Sequence, residues 1–157
     1  PLTNIGSQNT SGIDWNVTYT HDLFRVVLDT TFLMEYEEDG VDYTGTIDGN
    51  MGGYSELKSN FTMNAAVTEN LNLVYNAQYI QGMEGNAWGE PYTTDDVIYH
   101  NASAAYFLND NWQVRGGVKN IFDTEPEEVP DGNDMGTVPN IYDVVGRQFY
   151  LSTSVKF

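Results

Sequence analysis

From Ile13 to the end of the chain, apolar and polar residues trade places with a period of two. Ile13, Trp15, Val17 and Tyr19 alternate with Asp14, Asn16, Thr18 and Thr20. After a tight turn near Asp22, Phe24, Val26, Leu28, Thr30, Phe32, Met34 and Tyr36 alternate with a more polar set that includes Arg25, Asp29 and Glu35. Successive side chains of a strand point to opposite faces, so each run predicts a strand with one oily and one wet side. The pattern resumes with Leu57, Phe61, Met63, Ala65 and Val67 against Lys58, Asn60, Thr62 and Asn64, then with Leu71, Leu73, Tyr75, Ala77 and Tyr79 against Asn72, Asn76 and Gln78. A weaker strand follows over 97–108, with Ile98, Ala102, Ala104 and Tyr106 on its oily side. Trp112, Val114, Gly116 and Val118 then oppose Gln113, Arg115, Gly117 and Lys119. In the last strand Phe149, Leu151, Thr153, Val155 and Phe157 oppose Gln148, Tyr150, Ser152, Ser154 and Lys156.

What lies between the strands is as informative as the strands. Short turns fall near Asp22, at Thr68-Glu69-Asn70 and at Asn109-Asn111, whereas residues 37–54, 82–95 and 123–145 are long, glycine-containing and acidic, and read as loops. Residues 1–12, rich in Asn, Ser, Thr and Gly and without a period, also read as loop. The expected fold is therefore all-β, about seven antiparallel up-and-down strands whose connections alternate between short and long. That asymmetry belongs to transmembrane barrels, which carry short turns at the periplasmic end and long loops outside. The final strand has about the length a tilted strand needs to cross a bilayer, roughly 9–11 residues. Trp15, Tyr19, Phe24, Tyr106 and Trp112 suit interfacial girdles. Leu71, Leu73, Tyr75, Val114, Val118, Leu151 and Val155 are expected toward lipid, and Lys58, Arg115, Lys119 and Gln148 toward a lumen or plug. Two other architectures compete: a complete small barrel of about eight strands, structural or adhesive, and a soluble sandwich in which the same aromatics would form the core. A closed single-chain bacterial barrel needs an even strand count, and a sandwich predicts turns of mixed length at both ends.

Asn120-Ile121-Phe122-Asp123, followed by Glu125-Pro126, Tyr142-Asp143, Gly146-Arg147 and a terminal Phe157, resembles the closing segment of TonB-dependent outer-membrane receptors. The resemblance implies a barrel of about 22 strands with an N-terminal plug, of which this chain would supply the C-terminal strands of 1–157 and no plug. It implies residence in the bacterial outer membrane and import of a scarce nutrient, such as a siderophore, cobalamin, a glycan or a peptide. The substrate would sit between extracellular loops and plug apices, and energy would come through the TonB complex, whose contact segment lies in the N-terminal part. Phe149, Leu151, Val155 and Phe157 then correspond to the strand that the barrel-assembly machinery reads. The other partners implied are the remainder of the barrel, the plug and outer-membrane lipid.

Composition narrows the function classes further. Six Lys and Arg against 23 Asp and Glu give a net charge of −17, which excludes nucleic-acid binding through a basic patch. No apolar run approaches the 18 or so residues of a membrane-crossing helix. Pro1 to Gly6 show neither basic nor apolar regions of a signal peptide, so the chain is expected to continue a longer one. There is no cysteine, His21 and His100 are isolated, and no nucleophile elbow, phosphate loop or HExxH motif appears, so no catalysis and no cofactor are expected. Glu37, Asp39 and Asp42 in one loop and Asp131 and Asp134 in another are candidate calcium ligands, since hard cations take alternating oxygen donors. The EF-hand register is not met, and a charge run is more often a solvated face. The same excess of carboxylates disfavours a bare anionic ligand at this part of the entrance.

Overall fold

The computed structural model describes residues 6–49, 52–130, 132 and 136–156. Every regular element is a strand: β1 (Gln8–His21), β2 (Phe24–Glu38), β3 (Val41–Asp42), β4 (Thr46–Asp48), β5 (Gly52–Gly53), β6 (Leu57–Thr68), β7 (Leu71–Ile80), β8 (Glu84–Ala87), β9 (Glu90–Thr93), β10 (Val97–Asn109), β11 (Trp112–Lys119) and β12 (Gln148–Val155). The large sheet runs β1-β2-β6-β7-β10-β11-β12, with β3 paired off β2. All of its pairs are antiparallel between neighbours in sequence. β1 and β12 lie at opposite ends of this order and are not paired with each other, so the sheet is open among the described residues.

Cross-strand register fixes which residues share a face. Ala65, Leu73, Ala104, Gly116 and Leu151 form one continuous row across five strands, and Met63, Tyr75, Ala102, Val118 and Phe149 form the next. These rows are the apolar face. On the other face Thr62, Asn76 and Asn101 align, and Lys119 stands opposite Gln148. Each of the two expected sets thus shares a single face of the sheet, and the two faces are opposite. Tyr19, Phe24, Tyr106 and Trp112 gather near the short turns, while Trp15 lies further along its strand, opposite Thr30. Polar groups on the apolar face are satisfied locally. Thr30 and Ser59 share a 2.9 Å hydrogen bond, and His100 Nδ1 lies 2.6 Å from the Tyr75 hydroxyl beneath the edge of Phe122.

Two expectations are corrected. Residues 8–12, read as loop, belong to β1: a register shift at Ser11/Gly12 carries the pairing on to Gln8↔Glu38, and Ser11 and Asn9 donate to Glu35 and Glu37. Both faces of the hairpin are wet there, so alternation fades while backbone pairing continues. Nor are the first two long connections structureless. They build a second, four-stranded sheet, β5-β4-β8-β9, in which β4 and β8 are parallel. Strands of two to four residues are too short to show a period.

Candidate functional site

The sequence motif that carried the family resemblance is a clamp. Asn120 is 1% exposed and leaves β11 in a left-handed conformation at φ 49°, which asparagine tolerates better than most residues. Its side-chain amide donates to Thr124 O at 2.9 Å and accepts from Thr124 N at 2.8 Å, closing a tight turn over Ile121-Asp123. Asp123 then accepts from Arg147 N at 2.8 Å and from its guanidinium at 3.2 Å, and Arg147 also donates to Ile121 O. Gly146, at φ 75°, passes so close that a Cβ there would stand 3.0 Å from Asp123 Oδ1. The start and end of the third long connection are therefore held together at the mouth of β11 and β12. The ion pair is half exposed and adds little energy; its effect is positional. Asn120→Ala removes both hydrogen bonds to the half-buried Thr124 backbone, at an expected cost of about 0.5–1.5 kcal/mol each. Denaturant titration of the refolded receptor reads it, and an unchanged midpoint would show the clamp to be dispensable.

The long connections are not independent. Ile47 from the first, Met83 from the second, and Val129, Val138 and Tyr142 from the third form one buried cluster with Ile80, Val97 and Tyr99 of the polar face. Tyr142 donates to Thr94 Oγ1 at 3.2 Å, burial pushes its phenol up, and Asp95 N donates to Glu127 at 2.9 Å. The result is a cap folded over the long-loop end of the polar face. Asp96 staples the second connection, accepting from Gly82 N and the Tyr79 hydroxyl, each at 2.8 Å. The Gly82 amide first, and then Tyr79, hold its carboxyl below the usual 3.8. A depressed carboxylate stabilises above its unfolded value and loses that contribution as pH falls through the lower folded value. Gly82 amide exchange, corrected for the intrinsic rate, should accelerate only in acid below about pH 4, and should lose this dependence in Asp96→Asn.

The described candidates for calcium, Glu37, Asp39 and Asp42, are each held by a different partner. Glu37 accepts from Asn9 across the β1–β2 pair, Asp39 from Ser7 N just before β1, and Asp42 from the Thr44 amide and hydroxyl within its own turn. Asp131 and Asp134 lie outside the described residues. Among those described, no three His, Cys, Asp or Glu side chains are grouped to hold a metal. Phe149, Leu151 and Val155 stand exposed on the apolar face of the edge strand, and Phe157 lies outside the described residues.

Beneath the cap, the polar face carries a half-open pocket of about 420 Å³, which sequence reading missed. Its floor is an amide ladder. Asn76 donates to Phe61 O and Thr62 Oγ1, accepts from Asn101 Nδ2 at 3.0 Å, and Asn101 accepts in turn from Asn120 N at 2.9 Å. Gln78, Ser103 and Lys119 join the lining, Tyr150 flanks it, and Ile141 and Asp143 reach over from the third connection. Asp143 N is tied to the Tyr99 hydroxyl at 3.1 Å. Tyr150 lies flat on Gly117, where a Cβ would come within 2.5 Å of the ring, so glycine is what admits the ring. The one signal in the sequence was amides and hydroxyls recurring on one face of adjacent strands.

Such a two-faced open sheet with its cap is the fold of the C-terminal part of TonB-dependent outer-membrane receptor barrels. Among solved structures it is similar to the ferric enterobactin receptor PfeA of Pseudomonas aeruginosa in complex with enterobactin (TM-score 0.69, 16% identity, 94% of this chain and 22% of that one). The siderophore receptor PirA of Acinetobacter baumannii gives TM-score 0.69 at 15% identity over 94% and 22%. The ferric-catecholate import receptor Fiu of E. coli K12 gives 0.67 at 19% identity over 97% and 21%. The chain thus spans about a fifth of the length of these receptors. No family model matches the sequence, and no curated protein matches it.

Proposed function

We propose that this chain forms the closing strands of an outer-membrane receptor that captures a scarce nutrient and imports it with energy supplied through TonB. In this reading the apolar face meets lipid, the polar face lines the lumen, and the capped long connections face the exterior. The observation that carries it is the open sheet with edge strands β1 and β12. Unpaired backbone groups in hydrocarbon cost several kcal/mol each, so both edges require strands from the rest of a larger barrel. Clustering of all three long connections at one end fits capture above a plug. Strains lacking the gene, and strains lacking TonB, should lose growth on the same limiting nutrient when screened across single carbon, nitrogen and iron sources. A nutrient lost on gene deletion yet still used without TonB would refute energised import.

A further inference from the structure

The chemistry lining the capped cavity points to its ligand. We infer that it binds a neutral, hydroxyl-rich molecule, a saccharide, in preference to an anionic metal chelate; this rests on the importer reading above and names its substrate class.

The inventory of free hydrogen-bonding groups is mixed in sign and nearly neutral in charge. Asn76 spends both amide protons on Phe61 O and Thr62 and holds Asn101 in register. That leaves Asn101 one N–H, and leaves each carbonyl oxygen a lone pair. The side chains of Gln78, Ser103 and Tyr150 make no hydrogen bond to other described residues. Donors and acceptors thus stand side by side on a surface whose orientation is already fixed. A sugar hydroxyl both donates and accepts, so it can satisfy either kind of neighbour.

A flat aromatic completes the arrangement. Tyr150 is held with one face against Gly117 while the residue remains 40% exposed at the cavity. An aromatic face carries partial negative charge and suits the weakly positive C–H face of a pyranose ring. The volume, about 420 Å³, lies within the range of small-molecule sites, about 300–1,000 Å³.

Charge argues the other way for a chelate. A ferric catecholate is a net anion through its deprotonated oxygens, and recognition of such groups calls for several cations. Lys119 is the one basic side chain lining the cavity, and the carboxylate of Asp143 lines it as well. Around them stands a chain of net charge −17, whose field repels an approaching anion.

The test uses the full-length receptor, purified folded in detergent, on an array of neutral hexose and pentose oligosaccharides, with ferric enterobactin and a short basic peptide as further probes. At least one oligosaccharide is expected to bind. Tyr150→Leu should weaken it more than tenfold and Gln78→Ala at least threefold, while Lys119→Gln changes it less than threefold. Gln78 is exposed and its side chain has no hydrogen-bond partner among the described residues, so its variant retains the fold if Tyr150→Leu does not. No oligosaccharide binding by folded receptor, competition by ferric enterobactin or by the peptide, or full affinity in Gln78→Ala would each overturn the ligand class. The two readings fail separately. A bound oligosaccharide with no nutrient lost on gene deletion refutes import and keeps the ligand, whereas loss of an iron source keeps import and overturns the saccharide.

Discussion

Val129→Asp is expected to loosen all three long connections together, not the third alone. Val129 is fully buried at 0% exposure, in the cluster shared by Ile47, Met83, Val138 and Tyr142, and no cation lies in that cluster to meet a carboxylate. An uncompensated buried charge costs about 3–5 kcal/mol, whereas Val129→Ala removes methyl groups and should cost about 2 kcal/mol. The difference separates charge from packing. Hydrogen exchange on the full receptor gives the spatial readout. Amides that tie the second connection to the first and to itself, Glu84 N to Gly45 O and Thr94 N to Met83 O, should exchange faster along with Val129 N to Gly136 O. If only third-connection amides accelerate, the cap is not one cooperative unit.

That cooperativity was invisible in the sequence for a physical reason. The strands were legible because one apolar and one polar face impose a period of two on Phe24–Phe32, Leu71–Tyr79 and Trp112–Val118, and register keeps each set together across the sheet. The cap follows another rule. Ile47, Met83, Val129 and Val138 are single apolar residues in acidic, glycine-rich stretches, and what unites them is tertiary approach. The pairing Ile47↔Gly85 in the parallel β4–β8 contact spans the whole β6–β7 hairpin, beyond any local signal. The clamp was half legible. Asn120, Asp123, Gly146 and Arg147 were singled out as a motif, but spacing alone could not show that Asn120 and Asp123 both adopt positive φ to bring the two ends of a long loop into contact. Within the first acidic cluster Glu37, Asp39 and Asp42 each have a separate hydrogen-bond partner, which residue spacing does not reveal. The cavity floor lay in plain view as Asn76, Gln78, Asn101 and Ser103, on strands whose adjacency only the register settles.

The second large effect tests the faces. Arginine placed along the apolar side of β7 should cost most in the middle of the strand and least at its ends. Leu73 is 41% exposed in the row Ala65, Leu73, Ala104, Gly116 and Leu151, above the short turn at Asn70, and Ala77 stands four residues further along. A cation on the lipid face of a barrel costs about 2–4 kcal/mol near the midplane and about 0–1 near the interfaces. Leu73→Arg and Ala77→Arg should therefore fall in the upper range, with Leu71→Arg and Tyr79→Arg well below them. Gln78→Arg, one residue away but on the opposite face, should lie near zero, because its side chain reaches water. The pattern separates lipid from protein as the covering medium. A packed protein core would penalise Arg wherever the side chain is most enclosed and would not follow height along the strand. Folding free energies of the five variants of the full-length receptor, measured by denaturant titration in lipid vesicles, decide it. A flat profile along the apolar series, or equal tolerance of Arg at Leu73 and Gln78, would remove the bilayer from that face.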